Sequence, residues 1–347
     1  MVATAVRAVR VGPAATVVRV RPLVVCLVLG ALAAAAFCFA IATGDYPISL
    51  RLVLRELFGS TDYQTWFVVN QLRLPRAWTG FLVGAAFGVS GAVFQTVTRN
   101  ALAAPDVIGI TEGAGTAVVA GIVLGLGAGL GTQTLGLLGG LLCALTIYLL
   151  AWKRGTTGYR IILVGIGVSA ICTSLTDFLM TQAYLFEAQQ AMGWLVGNLN
   201  ARGWEHVRPV GAALGVLLPV LLMLNRWLRT LQLGDDLAAG LGVPVHRARL
   251  ALLLAAVGLV AFATAAAGPV LFVGLVAPQI AQRLAKAAAP PLIASGLAGA
   301  VMVLVSDILA QRLTSGAQLP VGVVTGALGA PFLLWLLVRT NRVGTGG

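Results

Sequence analysis

The sequence predicts an all-α, polytopic membrane protein with about ten transmembrane helices and both termini in the cytoplasm. Its 347 residues are 59% hydrophobic and only 10% charged, and the mean hydropathy is +0.96. Soluble domains carry about 25% charged residues, so a water-soluble fold could not cover its surface with so few. The apolar runs lack the two-residue alternation of a transmembrane β-strand, which favours helices over a barrel.

Long apolar runs give the predicted helices in chain order. They fall near residues 22–42, 77–97, 112–130, 134–151, 161–182, 209–225, 250–267, 269–281, 291–311 and 319–338. A helix that crosses the bilayer needs about 20 residues, so the run at 269–281 is short. Residues 40–42 mimic a signal-peptidase site, but the first run is longer than a signal core, which favours a retained helix. The mixed segment 44–72 predicts a lid or a short helix on the membrane surface.

Basic residues set the predicted orientation. The net charge is +12, from 23 basic and 11 acidic residues. With the N-terminus in the cytoplasm, sixteen basic residues fall on the cytoplasmic side and seven outside, as the positive-inside rule requires. The arginines lie between apolar runs, which indicates orientation in a membrane rather than nucleic-acid binding. We expect a basic cytoplasmic tail over 1–21, a membrane domain over 22–340 and a C-terminal tail over 341–347.

The residue types needed for several catalytic chemistries are missing or scattered. A P-loop needs Gly directly before its Lys, but Lys153 follows Trp152 and Lys286 follows Ala285. The two histidines fall in separate predicted loops on opposite sides of the membrane, which disfavours a metal site or a catalytic triad. The four cysteines lie inside apolar runs and are predicted to be small packing residues. They are Cys26, Cys38, Cys143 and Cys172.

Acidic residues within the membrane would be needed for ion-coupled transport, which is the alternative to an ATP-driven mechanism. The candidates are Glu112, Asp177 and Asp307. Each lies near a predicted helix end, where water or an arginine such as Arg312 could satisfy it. Because no relay of acids lies at mid-helix depth, the sequence disfavours ion coupling without removing it as an alternative.

Glycine ladders predict two closely packed helices. Small residues at this spacing let helix backbones approach where lipid gives no hydrophobic drive. The ladders are Gly80, Gly84, Gly88 and Gly91, and Gly322, Gly326 and Gly329.

Two polar, glycine-rich segments are unlike passive connectors. Residues 100–113 predict irregular backbone, which membranes tolerate only inside protein or beside a water-filled cavity. Residues 234–242 predict a short cytoplasmic helix with Asp235 and Asp236 in its first turn, where negative charge is favourable. Its small residues offer a surface that a partner could grip, and a solvated connector is the alternative.

These segments resemble the permease subunits of the FecCD/BtuC-like family of ABC importers for iron-siderophore, haem and vitamin B12, from about residue 20 to 340. The motifs that carry the resemblance stand in the same order and at the same spacing. They are R-L-P-R at 73–76, an N-P-L-A-x-P-x-x-x-G pattern at 100–109, G-P-x-x-F-V-G-L-V-x-P at 268–278 and L-P-V-G-V-V-T at 319–325.

The resemblance implies a set of partners and a role for this chain. Two permease subunits, identical or paralogous, would surround a pathway, with a cytoplasmic ABC ATPase dimer and an extracytoplasmic binding protein. This chain would bind no cofactor itself, because ATP and Mg are used by the partner ATPase, and it would not be an enzyme. We expect a multi-pass permease in the bacterial cytoplasmic (inner) membrane that imports a metal chelate, foremost a ferric siderophore, with haem or cobalamin as alternatives.

The resemblance also assigns candidate site residues. Docking of the binding protein is implied for Arg73, Arg76 and Arg312, with interfacial anchoring as the alternative for the first two. Within a coupling loop at about 226–249, contact with the ATPase is implied for Gly234, Asp235, Asp236, Ala238, Ala239 and Gly242. The translocation pathway or gate is implied for Asn100, Pro105, Gly109, Glu112, Gly268, Pro269, Gly274, Pro278, Gln279, Pro320 and Gly322.

The sequence departs from the family pattern at several of these motifs. Ala101 replaces the usual Pro, and Glu112 stands where Ser or Asn is common. Glutamine replaces other family residues at Gln279, Gln282, Gln311 and Gln318. These departures leave the architecture intact and bear on the substrate, the inner-loop contacts and the third docking arginine.

Overall fold

A computed structural model of the chain describes residues 6–11, 14–42, 63–106, 109–126, 131–151, 158–313 and 319–344. Two strands, β1 (Val6–Val11) and β2 (Ala14–Arg19), precede the helices. The helices are α1 (Val20–Ala42), α2 (Tyr63–Phe67), α3 (Leu74–Thr98), α4 (Ile110–Val123), α5 (Thr132–Ala151), α6 (Gly158–Gln182), α7 (Leu185–Leu195), α8 (Trp204–Met223), α9 (Asn225–Leu231), α10 (Asp235–Gly240), α11 (Val245–Ala267), α12 (Val273–Ala285), α13 (Leu292–Arg312) and α14 (Val321–Gly344). Most of the surface segment expected at 44–72, Gln318 and the end of the C-terminal tail lie outside the described residues.

The predicted all-α, polytopic fold is confirmed. Each predicted apolar run corresponds to a helix, and among the described residues seven helices are long and apolar enough to cross a membrane. The antiparallel pairing of β1 with β2, from Val6 opposite Arg19 to Val11 opposite Ala14, is not among the predicted elements. The prediction that both termini face the cytoplasm stays a prediction.

Helix α3 forms the centre of the bundle. A π-helical stretch, Val68–Arg73, joins it to α2. The resulting apolar helix Gln64–Thr98 has 35 residues, and 89% of the residues in its most apolar stretch are buried. At 1.5 Å per residue this helix is about 50 Å long. The predicted start near residue 77 is therefore wrong. The wider π turn lets the helix continue past Pro75, which has no N–H to donate.

Glycines allow α3 to touch α13 backbone to backbone. A Cβ atom added at Gly84 would collide with the carbonyl group of Gly299, and one added at Gly88 would collide with the carbonyl oxygen of Ser295. A Cβ at Gly91 would meet the backbone of Gly274 in α12. The close packing predicted for the first glycine ladder is confirmed, and the partner glycine on α13 was not predicted.

The second glycine ladder is only partly used within this chain. A Cβ at Gly322 would collide with the carbonyl oxygen of Val196, and one at Gly329 would collide with the side chain of Phe272. Gly326 has no atom within 4 Å of the position that its Cβ would take. The close packing predicted for this ladder therefore holds at its two ends and not at its middle glycine.

Buried polar side chains fix α3 against its neighbours. Gln279 of α12 donates a hydrogen bond to Gln95 Oε1 over 2.7 Å, and Gln95 donates in turn to the carbonyl of Leu275 over 2.9 Å. Ser90 donates to the carbonyl of Ala256 in α11 over 3.0 Å. Each bond satisfies a polar group that would be costly to leave unpaired in an apolar interior.

The short predicted run at 269–281 begins later as a helix than expected. Residues 268–272 are not helical, and α12 starts only at Val273. Gly268 has a positive φ of 75° and ends α11, while Phe272 also has a positive φ, 65°. Because Pro269 follows this turn and cannot donate an N–H, the chain reaches α12 through non-helical backbone.

Candidate functional site

The three predicted docking arginines lie near one end of the bundle, where α1 ends, α3 begins and α13 ends. Arg73 is buried, and its Nη1 donates to the carbonyl oxygens of Ile41 over 3.0 Å and Ala42 over 3.4 Å. These carbonyls end α1 and lack partners within that helix. The Arg73 side chain therefore caps α1.

Arg76 forms a two-pronged ion pair with Asp307 of α13. Its Nε lies 3.0 Å from Oδ2 of Asp307 and its Nη2 lies 2.8 Å from Oδ1. The side chains are 17% and 3% exposed, so the pair is largely buried. Gln311 donates to the same carboxylate over 2.8 Å. The arginine expected to satisfy Asp307 from nearby in sequence was Arg312, but the structure supplies Arg76 instead.

Arg312 is the exposed member of the three arginines. Its guanidinium carbon lies 5.2 Å from the centre of the Phe39 ring at the end of α1. Cation–π contacts of this kind are weak at exposed sites, so the charged group stays available to a partner. No observation on this chain tests docking, and the role of the three arginines stays a prediction.

The predicted pathway residues form two groups, of which the first contains Asn100, Pro105, Gly109 and Glu112. Gly109 has a positive φ of 96° and precedes α4, and its carbonyl accepts a hydrogen bond from the Cys143 thiol over 3.0 Å. Glu112, in the first turn of α4, accepts one from the Thr111 hydroxyl over 2.9 Å.

The irregular segment after α3 meets the irregular start of α12. The Pro105 ring lies against Gly274, where an added Cβ would be 3.0 Å from Pro105 Cδ, and Asp106 accepts a hydrogen bond from the Phe272 N–H over 3.4 Å. Burial raises the pKa of the Asp106 carboxyl, while backbone N–H groups of Asp106 itself and Phe272 act in the opposite direction. Two non-helical stretches thus pack together inside the protein, where lipid-free surroundings tolerate such backbone.

The second group of predicted pathway residues forms a tight backbone junction between α7, α11 and α14. Gly322 N–H donates to the Gly197 carbonyl over 3.1 Å. An added Cβ at Gly268 would collide with the carbonyl of Trp194, and one at Gly197 with the carbonyl of Pro269. Glycine is therefore required at these positions by close backbone approach.

The predicted coupling segment forms α10 at the opposite end of α3. Asp235 and Asp236 occupy its first turn, as predicted. Ala238 is completely buried against the α9 and α11 region, so this predicted gripping residue faces the bundle. Ala239, Gly240 and Gly242 are exposed.

Three exposed leucines lie in and beside α10, and they are not among the predicted contact residues. Leu233, Leu237 and Leu241 are 57%, 61% and 66% exposed. Leu237 lies in α10, and Leu241 directly follows the helix and donates its N–H to the Leu237 carbonyl over 3.0 Å, so these two side chains share one face. Leu233 precedes the helix, and the three exposed leucines are here called the leucine ridge. The spacing of the leucines was the available signal. Contiguous patches of exposed apolar side chains mark interaction sites.

Residues 32–339 match the FecCD transport family. The chain is 39% identical over 323 residues to the ferric enterobactin transport system permease protein FepG of Escherichia coli (strain K12), covering 93% of this chain and 98% of that protein. It is 40% identical over 306 residues to the achromobactin transport system permease protein CbrC of Dickeya dadantii, covering 87% of each. It is 37% identical over 282 residues to the vitamin B12 import system permease protein BtuC of Yersinia enterocolitica, covering 79% of this chain and 83% of that protein.

A solved structure resembles the chain along almost its whole length. It is an inward-facing conformation of an ABC transporter described as being of the metal-chelate type. The TM-score is 0.79 at 26% identity, and the likeness covers 92% of this chain and 99% of the other. The helical architecture described above is therefore shared with a transporter of known structure.

Proposed function

The chain belongs to the FecCD transport family, and on this premise we propose that it is the permease subunit of a bacterial ATP-driven importer of ferric siderophores. The match over residues 32–339 carries this proposal, because it spans nearly all of the membrane helices. Two of the relatives are named for the siderophores enterobactin and achromobactin. A relative named for vitamin B12 is almost as similar, so cobalamin, together with haem, is the alternative cargo.

The proposed complex contains partners on both sides of the cytoplasmic membrane. A cytoplasmic ABC ATPase dimer would supply the energy, an extracytoplasmic binding protein would deliver the cargo, and a second permease copy would complete the pathway. ATP binding would move the ATPase subunits, and the pathway would open to one side at a time. The irregular segments at 100–109 and 268–272 are proposed to line or gate it. Ion-coupled transport is the alternative mechanism, and transport measurements with and without ATP distinguish it from ATP-driven import.

Docking of the binding protein is proposed at the end that carries Arg73, Arg76 and Arg312. Positive charge there would attract acidic partner residues, speed the encounter and fix the register. Arg312 is the exposed side chain of the three, whereas Arg73 and Arg76 make contacts within the chain. We therefore propose that Arg312 makes the direct contact and that the other two hold the helix ends beneath it.

Transport measurements on the complete importer test the proposal. The full chain is purified with the subunits that accompany it, reconstituted in vesicles with its binding protein, and supplied with ferric enterobactin labelled with radioactive iron. We expect accumulation with ATP and none with ADP. Cobalamin in place of the chelate tests the alternative cargo. Accumulation driven by an ion gradient in vesicles that lack nucleotide would contradict the proposed energy source.

The leucine ridge gives a sharper prediction for the ATPase contact. Leu237→Asp is expected to weaken retention of the ATPase by about tenfold or more, because central apolar anchors dominate protein interfaces and a charge there must be desolvated. The effect is measured as the fraction of the ATPase that stays bound to the immobilised permease after increasing volumes of detergent wash. Leu284→Asp places the same charge on another exposed leucine, 47% exposed in α12, and should retain the ATPase. Equal retention by Leu237→Asp and the unmodified chain would remove the ridge from the interface.

A further inference from the structure

Asp235, in the first turn of α10, joins two arginines from different helices. Both oxygens of its carboxylate accept hydrogen bonds from Arg249 Nη2 of α11, over 2.8 and 2.9 Å. Arg99, the residue that ends α3, contributes its Nη2 at 3.3 Å from Oδ1. The carboxylate thus bridges α10, α11 and the end of α3.

The Arg249 side of this bridge is the firmer one. The Arg249 side chain is only 3% exposed, while that of Asp235 is 40% exposed. A buried guanidinium is costly unless an acid accompanies it, so Arg249 holds the Asp235 carboxylate facing inward. The side chain of Arg99 is 47% exposed, so its ion pair with Asp235 is screened more strongly by salt.

Backbone geometry brings α10 onto the end of α3. Arg99 has a positive φ of 53° and ends the helix, which turns its side chain toward α10. Gly234, directly before α10, has a positive φ of 111°, and an added Cβ would lie 3.5 Å from Arg99 Nη1. Ala238 is fully buried on the inner side of α10. The short helix is therefore seated on the bundle by the apolar contact of Ala238 and by the two ion pairs of Asp235.

We propose that Asp235 is a positioning residue that passes movement of α10 to α3 and α11, and that it is not a contact to the ATPase. The inference rests on the proposed function, in which the ATPase moves α10. The ATPase would contact the exposed leucine ridge, and the ion pairs of the Asp235 carboxylate with Arg99 and Arg249 would make α3 and α11 move with α10. Without the bridge, α10 could follow the ATPase while α3 stays behind.

The test compares nucleotide-driven movement of α3 with binding of the ATPase. Leu72→Cys, on the π-helical stretch at the far end of the same helix, introduces a thiol at a 53% exposed position, in a parent in which Cys38→Ser removes an exposed native cysteine. The rate of labelling by an impermeant maleimide is measured in the complete importer, without nucleotide and after trapping with ATP and vanadate. Asp235→Asn and Arg249→Met are each introduced into this parent.

We expect the parent to show a labelling rate that depends on nucleotide, and both variants to lose most of this dependence while they retain the ATPase and hydrolyse ATP. Coupling effects of single residues are about 2- to 30-fold. Asp235→Glu should restore the dependence, because it keeps the charge. Arg247→Met makes the same change at an exposed arginine two residues before Arg249 and should behave as the parent. The double variant Asp235→Asn with Arg249→Met should lose little more nucleotide dependence than either single variant, because both substitutions break the same ion pair.

Three results would overturn the inference. They are a labelling rate in the parent that ignores nucleotide, a normal nucleotide response in both variants, and loss of the ATPase from Asp235→Asn, which would make Asp235 a direct contact. A parent that retains no ATPase at all would instead contradict the proposed function. Folding of each variant is checked by its elution as a single species, and Arg249→Met provides the readout if Asp235→Asn fails to fold.

Discussion

Gly88→Leu is expected to prevent the helical bundle from assembling. Even a single Cβ at this position would collide with the Ser295 carbonyl of α13, and α3 makes its most extensive contact with that helix. Because the obstacle is backbone, no rotamer change relieves it, and the helices must separate. Overpacking of this severity costs about 3 kcal/mol or more. The yield of protein that elutes as one species from a sizing column in mild detergent should collapse.

The control for Gly88→Leu is a glycine with space around it. Gly215 of α8 is exposed and has no atom within 4 Å of the position that its Cβ would take, so Gly215→Leu should elute with a yield close to that of the unmodified chain. Gly88→Ala should already lower the yield, by less than leucine does. Normal elution of Gly88→Leu would mean that α3 and α13 do not pack as described.

Arg76→Met is expected to destabilise the fold by about 3–5 kcal/mol, the usual cost of leaving one member of a buried ion pair without its partner. The Asp307 side chain is only 3% exposed and would keep Gln311 as a donor but lose both prongs of the guanidinium. The detergent-solubilised protein is heated, and the temperature at which half of it stays soluble is measured. This midpoint temperature should lie well below that of the unmodified chain.

A second substitution shows whether the ion pair is the cause. Replacing both partners of a buried pair with apolar residues is often neutral, so Arg76→Met combined with Asp307→Leu should recover much of the lost stability. Arg312→Met, at the exposed arginine of the same end, should leave the thermal stability unchanged. If the double variant is no more stable than Arg76→Met, the two side chains do not act as a pair.

Helices and backbone contacts were largely predictable because they follow local patterns. Apolar runs gave the helices, and the spacing of Gly84 and Gly88 gave the packing face of α3, because small residues four apart must share one side. Glycine and proline in the segments at 100–113 and 234–242 predicted irregular backbone after α3 and a short helix, and the structure has irregular backbone after α3 and the helix α10. The boundary of α12 was missed because positive φ values at Gly268 and Phe272 are not visible in an apolar pattern.

Contacts between distant residues could not be predicted in this way. Arg76 and Asp307 are 231 residues apart, and a single sequence does not show which charges meet. The same limit explains why Ala238 was predicted as a gripping residue although it is buried. The sequence shows that α10 contains small residues and leucines, but only packing decides that Ala238 turns inward while Leu237 and Ala239 stay exposed.

The two charged ends of α3 also have a consequence for biosynthesis. The ion pair of Arg76 can form only after Asp307, 231 residues later, has been synthesised. That of Arg99 can form only after Asp235, 136 residues later, has been synthesised. Chains grow at about 5–20 residues per second, so α3 spends roughly 10 to 50 seconds in the membrane before Asp307 has been made. Final assembly of the central helix therefore follows insertion of almost the entire chain, and a ribosome that stops before α13 leaves a product that cannot complete the bundle.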